Sequence, residues 1–568
     1  MRTLCNGLAR GVRLGGLVTI AILPPGCSER AGTTRGAAPS PQAAVVRQLA
    51  AVAQSGRGLP GPPASLEERS QLRRLYTSSG NTPLWLTAKG DLRPVGKEAL
   101  LRLVHADGEG LIPADYAAVQ LDTLARQTDA LQQADPGVVA RLDAGLSLAL
   151  LRYLRDIHIG RVTPRSVGLS MSAPVEQHDY AGLLNTAVRE GSFDEIVAEL
   201  TPPLAQYRRV RDALARYRTL AQDSLAAQPL QLPVPLKVGQ AVAGGGLDAL
   251  ARRLTLLGDL PAGGTTAPLL RYQGPIVEAV RRFQERHGLT PDSVLGKETL
   301  DELNVPLARR AHQLALALER LRWLGDLGDQ PFLLVNIPMF ELTAWNSPRD
   351  DGPPAFRTGV IVGQALDKQT PVLKEEMRYV IFQPYWNIPP SIAQEETIPE
   401  IEKDKEYLSR NHLEIVQGQG DDADPVEPSG GALDRVARGE LRIRQRPGPG
   451  NALGPIKFVF PNDQNVYLHG TPAEQLFDRT RRDFSHGCVR VEDPTGLAEW
   501  VLRDQPDWNR DRIVEAMNDA TKLSRRVSLA RPLPVVLFYS TASVDPDGTV
   551  RFAKDIYGHD QRLDAALR

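Results

Sequence analysis

The chain has 568 residues, more than one hydrophobic core usually organises, so several domains are expected. Lys and Arg together number 67 and Asp and Glu 68, which leaves a formal net charge of −1 at pH 7. This balance implies no large basic surface, and it argues against a protein that binds nucleic acid.

Residues 1–27 have the features of an export signal. Three arginines precede an apolar run over residues 14–23, and this run is shorter than the roughly 20 residues that a permanent membrane span requires. Cys27 stands where a bacterial lipoprotein signal has its acylated cysteine, although Pro24 and Pro25 depart from that pattern. A plain cleaved signal and a membrane attachment through a lipid on Cys27 are two alternatives. Both predict an exported, periplasmic protein.

Export makes the cysteine count informative. Cys5 is removed with the signal, and Cys27 is either removed or lipidated, so Cys488 is left as the single free thiol. An unpaired cysteine in an oxidising compartment is more often a working group than a structural one. A buried and inert core cysteine is the alternative.

The N-terminal half of the mature chain is predicted to contain a linker and a helical domain. Residues 28–64 are rich in Gly, Pro, Ser and Ala, a composition typical of a flexible linker. Residues 65–235 contain apolar residues at three- and four-residue spacing, most clearly over residues 138–154. We therefore predict a helical scaffold domain over residues 65–235.

Residues 236–306 contain a second helical pattern. Pro275 begins a helix that Gly288 ends, and a shorter helix is predicted over residues 296–303. This pattern by itself indicates only a small helical bundle. Residues 279–304, AVRRFQERHGLTPDSVLGKETLDELN, resemble the three-helix peptidoglycan-binding module of bacterial wall enzymes, and this resemblance implies a wall-binding role.

Residues 325–505 are predicted to form a mainly β catalytic domain, because the apolar pattern changes from helical to alternating. The predicted strands cover residues 332–338, 341–345, 356–363, 379–382, 456–460 and 465–469. Residues 506–568 are predicted to supply a C-terminal helix and a β-hairpin that complete this domain.

A long polar segment, residues 384–450, interrupts the predicted strands. Segments of this length in a compact domain are usually disordered or act as a lid over a site, and we interpret this one as a capping insertion. A charged helix is predicted over residues 395–409. Tyr385 and Trp386 are candidate substrate contacts in the lid, and aromatic core packing is the alternative.

The residues with the clearest chemical potential are His469-Gly470 and, fifteen residues after Gly470, Ser485-His486-Gly487-Cys488-Val489-Arg490. A thiol needs a nearby base because the thiolate is the nucleophile. The Gly470 carbonyl can accept one imidazole N–H of His469 and leave the other nitrogen basic. Gly487 leaves its own N–H and that of Cys488 accessible to an oxyanion.

Two other interpretations of this stretch are open. In one, His469, His486 and Cys488 are metal ligands, although three ligands without a placed carboxylate are an incomplete set. Alternatively, Cys488 is a packed core residue and the glycines mark turns. The joint occurrence of a thiol, histidines and glycines argues against this second interpretation.

The spacing of these residues resembles the signature of YkuD-type L,D-transpeptidases, and the following Val-Glu-Asp-Pro at 491–494 is also typical. The order of the domains is similar to that of the large YcbB-like members, and it implies a multidomain α+β protein with a helical scaffold, a three-helix module and an interrupted mainly β domain. By resemblance, Cys488 is the nucleophile and His469 the general base. The resemblance also implies that Gly470 orients the base, that Gly487 helps to bind the oxyanion, and that Ser485, His486 and Arg490 support the site.

The resemblance further implies a reaction without a metal or an organic cofactor. Peptidoglycan stem peptides would be both donor and acceptor, joined in a 3→3 cross-link through a cysteinyl thioester. With water as acceptor, the same site would be an L,D-carboxypeptidase or an endopeptidase. A non-enzymatic wall-binding lipoprotein is the alternative from a different class.

Overall fold

The computed structural model describes residues 40–568 except 88, 130–134, 173–177, 225–226, 265–268 and 367. The predicted export signal, with Cys5 and Cys27, lies outside the described residues. Within these ranges, no helix combines the length and the apolar character that a membrane crossing requires.

The N-terminal region is helical and is organised around one long central helix. The helices are α1 (Pro41–Ser55), α2 (Leu66–Ser78), α3 (Pro94–Val104), α4 (Ala118–Asp129), α5 (Pro136–Ile159), α6 (Tyr180–Glu190), α7 (Asp194–Leu200) and α8 (Ala205–Leu220). Most residues of α5 are buried because the helices α1, α2, α4 and α6 pack around it.

Helix α1 corrects the prediction of a flexible linker over residues 28–64, which is wrong for residues 41–55. Ser40 caps this helix, and Val45, Leu49 and Ala53 are buried against α2 and α5. The composition was misleading because a stripe of one modest apolar residue per turn is enough to dock a helix that has a partner.

The module contains three helices, and a connecting helix follows it. These are α9 (Gly246–Leu257), α10 (Pro275–Arg286), α11 (Lys297–Leu303) and the connector α12 (Leu307–Arg322). The buried residues of the module are continuous with those of the β domain. On α12, the buried carboxylate of Glu319 accepts the backbone N–H groups of Arg161 at 2.6 Å and Val162 at 3.0 Å, which joins the scaffold to the connector.

The β domain is built from a nine-stranded sheet. In chain order the strands of the protein are β1 (Phe332–Asn336), β2 (Glu341–Trp345), β3 (Phe356–Gly363), β4 (Leu373–Phe382), β5 (Trp386–Asn387), β6 (Leu413–Gln417), β7 (Asp424–Val426), β8 (Arg442–Gln445), β9 (Ile456–Val459), β10 (Leu468–His469), β11 (Asp483–Ser485), β12 (Val489–Val491), β13 (Arg525–Phe538), β14 (Ala542–Val544) and β15 (Val550–Phe552). The large sheet has the order β11-β3-β12-β10-β9-β4-β13-β1-β2, and an additional pairing of β2 with β3 closes it into a barrel.

The capping insertion is a folded subdomain between β4 and β9. Its helical segments are α13 (Pro390–Ile392), a π-helical turn (Ala393–Thr397), α14 (Ile398–Lys403), α15 (Tyr407–Arg410) and α16 (Gly430–Ala437). It has its own sheet, ordered β5-β8-β6-β7, and a small core of its own around Ile415 and Ile443. The predicted helix over 395–409 is interrupted, because Asp404 adopts an extended conformation after Lys403.

One part of the C-terminal segment belongs to the barrel, and another part lies outside it. After α17 (Pro494–Val501) and α18 (Arg510–Asn518), strand β13 pairs with β4 and β1. The β14–β15 hairpin, in contrast, forms a separate two-stranded sheet, so the C-terminal segment joins the large sheet through β13 and not through the hairpin. Phe552 on β15 packs against Tyr217 of α8 and against His287, the residue that ends α10. The hairpin thus joins the scaffold and the module to the barrel, and α19 (His559–Leu567) ends the chain.

Candidate active site

Three neighbouring strands position the predicted base. On β10, Leu468 is in register with Phe458 of β9 and Val489 of β12, and all three are buried in the barrel core. Side chains alternate between the faces of a sheet, so the next residue, His469, lies on the outer face.

On that outer face His469 has a cation on each side, because it is in register with Lys457 of β9 and Arg490 of β12. We call Lys457, His469 and Arg490 the cation–histidine row. Residues in register on neighbouring strands have Cβ atoms about 5 Å apart, so their side chains interact directly.

His469 is held as a neutral imidazole. Its side chain is buried, and its Nδ1–H donates a hydrogen bond to the Gly470 carbonyl at 2.5 Å. Burial, followed by the charges of Arg490 and Lys457, lowers the pKa of His469 to about 3, although the carbonyls of Gly470 and Leu453 act in the opposite direction. Since Nδ1 carries the proton, Nε2 is the basic nitrogen.

Cys488 lies directly before β12, and its partly exposed thiol is the only free one among the described residues. Burial raises the pKa of Cys488, while hydrogen bonds with Tyr467 and the charges of Lys457 and Arg490 oppose that rise. The thiol is therefore protonated at rest. Its hydrogen-bond acceptor is the Asn465 carbonyl, 3.8 Å from Sγ, and no hydrogen bond to His469 occurs in the described part of the chain.

The loop that carries Cys488 is held by hydroxyl groups. Ser485 Oγ donates to the Cys488 carbonyl at 2.5 Å and accepts the Gly487 N–H at 3.3 Å. Thr370 Oγ1 donates to the Gly487 carbonyl at 2.8 Å, and it accepts the Gly363 N–H at 2.8 Å. Gly487 has a φ of +112°, a conformation that residues with a Cβ rarely adopt.

The imidazole of His486 is directed to the insertion. Its Nε2–H donates to the Glu396 carboxylate at 2.6 Å, and that carboxylate also accepts Lys368 Nζ at 2.8 Å. His486 is therefore a link between the motif loop and the capping insertion. Across the described ranges, no three His, Cys, Asp or Glu side chains are grouped as metal ligands.

The two aromatic lid candidates lie at the start of the insertion. The guanidinium of Arg444 stands 4.2 Å from the ring centroid of Tyr385, and Trp386 packs against the core of the insertion. The contacts described for Tyr385 and Trp386 are thus with the insertion itself. The structure brings Cys488, His469, Gly470, Gly487, Ser485 and Arg490 together, and it places His486 at the boundary with the insertion.

Sequence reasoning missed three residues of the site, namely Lys457, Asn465 and Tyr467. Lys457 Nζ stands 3.6 Å from the ring centroid of Tyr467, and Tyr467 is among the groups that lower the pKa of Cys488 against the effect of burial. The alternation Ile456-Lys457-Phe458 indicates that Lys457 leaves the core. Only the pairing of β9 with β10, which the local pattern does not specify, brings it to His469.

A closed barrel that presents a lone thiol, a neutral histidine and a glycine-rich loop on one outer face has the parts of a cysteine-dependent acyl-transfer domain. Comparison with known families agrees with this class. Residues 330–522 match the YkuD family, described as the L,D-transpeptidase catalytic domain. Residues 244–303 match a family described as "Putative peptidoglycan binding domain", and residues 70–214 match a scaffold domain. These three regions are thus similar to a YkuD-type L,D-transpeptidase catalytic domain, a peptidoglycan-binding domain and a scaffold domain.

A curated relative has a similar sequence. The protein named "Putative L,D-transpeptidase" from Haemophilus influenzae (strain ATCC 51907 / DSM 11121 / KW20 / Rd) is 31% identical over 283 residues. The matched region covers 49% of this chain and 55% of that protein, so the chain spans about half the length of the relative.

Proposed function

We propose that this protein is a peptidoglycan L,D-transpeptidase that forms 3→3 cross-links between stem peptides through a thioester on Cys488. The observation that carries the proposal is the pairing of a lone thiol with a buried imidazole whose Nδ1–H is fixed by the Gly470 carbonyl. This arrangement leaves Nε2 free to accept a proton. The matched catalytic domain provides independent support.

In the first half-reaction, the Cys488 sulfur attacks the carbonyl of the third stem residue, and the thiol proton passes to His469 Nε2. Because both groups are neutral at rest, the ion pair forms only as the sulfur attacks. The N–H groups of Cys488 and Gly487 are the donors for the oxyanion, although Ser485 Oγ already accepts that of Gly487. The C–N bond then breaks, and the terminal D-alanine leaves with the proton from His469.

In the second half-reaction, the side-chain amine of another stem peptide attacks the thioester. His469 accepts the proton of the amine, and the Cys488 sulfur leaves as the new amide forms. The folded insertion favours this outcome over hydrolysis, because it is connected to the motif loop through Glu396 and can shield the thioester from water.

This activity requires contact with the cell wall. The peptidoglycan-binding module shares a continuous core with the barrel, so a glycan strand bound by the module would be held at a fixed position relative to Cys488. We propose that the export signal places the protein in the periplasm, with a lipid on Cys27 as the alternative attachment to the membrane.

The proposal is tested by incubating the full chain with disaccharide-tetrapeptide and separating the products by chromatography and mass spectrometry. We expect a dimer with a 3→3 bond, and no product with the Cys488→Ala variant. Tripeptide as the sole product would contradict transpeptidation and support a carboxypeptidase. Unchanged substrate would support a binding protein.

The nucleophile is identified separately by intact-protein mass after exposure to a carbapenem. We expect one covalent adduct on the wild type and none on Cys488→Ala. An adduct on the Cys488→Ala variant, or none on the wild type, would contradict the role of Cys488.

A further inference from the structure

Lys457 and Arg490 are the two cations of the cation–histidine row. In the described part of the chain neither side chain forms an ion pair with a carboxylate. The charged nitrogen of Lys457 instead stands over the Tyr467 ring, 3.6 Å from its centroid, a contact that attracts the cation but does not neutralise it. The groups that raise the pKa of Lys457 against the effect of burial are Cys488, whose thiol is protonated at rest, and Asp421 of the insertion. The carboxylate of Asp421 is itself engaged by Ser524 and Asn387.

Such a pair is costly to the fold. Burial lowers the pKa of Lys457 and of Arg490, because both cations have lost part of their hydration. Two like charges that flank one histidine also repel each other. A cation withdrawn from water is usually compensated by a protein carboxylate, as the buried Arg286 is by Asp259 at 2.5 Å, whereas the half-buried Lys457 and Arg490 are not. The missing countercharge in the cation–histidine row therefore points to an anionic ligand.

The position of the row limits what this anion can be. It includes the predicted base and lies beside the predicted nucleophile, so its ligand is bound close to the reacting bond. In a donor stem whose last residue is the leaving group, the terminal carboxylate is one residue beyond the scissile carbonyl, or about 3.8 Å further along the Cα trace. Ammonium and guanidinium groups are the usual partners of carboxylates.

We propose that Lys457 and Arg490 bind the free C-terminal carboxylate of the leaving residue of the donor and thereby select stems that end directly after the scissile bond. This inference rests on the proposed function. It assigns specificity to a lysine on β9, outside the cysteine motif. With a longer or C-terminally amidated donor, no carboxylate would lie against Lys457 and Arg490, so such a donor is rejected.

The test compares disaccharide-tetrapeptide with the same compound carrying a C-terminal carboxamide. The full-chain wild type is expected to consume the acid about 10- to 100-fold more efficiently, measured as kcat/KM, since a charged hydrogen-bond partner is lost in the amide. Lys457→Met, which removes the charge but preserves the length, is expected to lose most of this preference. Lys457→Arg should keep it.

A purely electrostatic role on the thiolate gives a different result. In that case Lys457→Met would slow both donors by the same factor and leave the ratio of acid to amide turnover unchanged. That result, or a wild type that does not distinguish acid from amide, would overturn the proposal.

A binding measurement separates this inference from the proposed activity. Cys488→Ala, which cannot turn over, is titrated calorimetrically with the acid and the amide, alone and combined with Lys457→Met. Tighter binding of the acid that depends on Lys457 supports the carboxylate site even if the wild type catalyses no reaction. Equal binding of the two compounds overturns it.

Discussion

Two polar sites of this protein differ in whether their charged groups have partners within the protein. In the scaffold, the carboxylate of Asp143 on α5 is fully buried and accepts the N–H groups of Leu84, Trp85 and Leu86 at 3.0, 2.9 and 3.2 Å. It also accepts the Tyr76 hydroxyl at 2.6 Å. In the barrel, Lys457 and Arg490 of the cation–histidine row have no carboxylate partner among the described residues.

The difference separates a structural site from a site for a ligand. Asp143 uses its acceptors to fix a loop against a helix, so nothing is left for another molecule. In the row, two cationic donors and the basic nitrogen of His469 have no carboxylate partner among the described residues. This lowers stability locally, but it leaves these groups able to bind a ligand and to accept a proton. Changes in the scaffold should therefore affect folding, whereas changes in the row should affect turnover.

The largest effect is expected from His469→Gln. The substitution removes the base while keeping a side chain of similar reach, and we expect kcat/KM for the tetrapeptide to fall by about 10²- to 10⁴-fold. The midpoint of thermal unfolding at pH 7 should change little, because the lost group is neutral. His105→Gln, an exposed position after α3, is the matched control. If the variant lost activity because it unfolds, the proposed difference between a structural site in the scaffold and a ligand site in the barrel would be contradicted.

Asp143→Asn should affect the structural site in the scaffold and therefore the stability of the fold. One carboxylate oxygen becomes an NH₂ group facing backbone donors, and we expect a loss of about 2–4 kcal/mol in the free energy of unfolding, measured with denaturant. Activity per folded molecule should not change. Asp122→Asn is the control, since Asp122 pairs with an exposed arginine and should cost less than about 1 kcal/mol. Equal losses would show that the Asp143 network is not structural.

The pH dependence of stability reports on the buried neutral histidines. The pKa of His469 falls from an ordinary 6.5 to about 3 on burial, and that of His559 also falls to about 3. The unfolded chain therefore binds more protons below pH 6.5, and stability should decrease as the pH falls from about 6.5 to about 3. Thermal melts in this window should be less steeply pH-dependent for His469→Gln. An identical slope would indicate that His469 is already protonated in the folded protein.

The smallest effect is expected at the link between the motif loop and the insertion. Glu396→Gln keeps the hydrogen-bond acceptor for His486 but removes its charge, and a partly exposed ion pair is worth at most about 1 kcal/mol. We expect the ratio of dimer to tripeptide to fall by about 2- to 5-fold. Glu400→Gln, which disrupts only the ion pair with Lys403 within the insertion, is the control. An unchanged ratio would show that the contact between His486 and Glu396 does not influence whether an amine or water attacks the thioester.

The sequence by itself determined the α+β class, the scaffold, the module and the catalytic domain in their order, and the spacing of His469 and Cys488. These features are local: helical and strand periodicity depends on neighbouring residues, and the motif residues lie within about twenty positions of one another. The same local reasoning failed for α1, because a helix with one apolar residue per turn needs a partner that lies far along the chain.

Only the tertiary structure decided what surrounds the site. Lys457 reaches His469 through the register of β9 with β10, and Arg490 reaches it through the register of β12, which no local pattern specifies. The insertion is likewise folded because scattered apolar residues such as Ala432, Val436 and Ile443 meet in one small core. The spacing of these residues is too irregular to predict such a core from the sequence. The two cations beside the predicted base therefore follow from strand pairing across the closed barrel, because pairing places side by side residues that are remote in sequence.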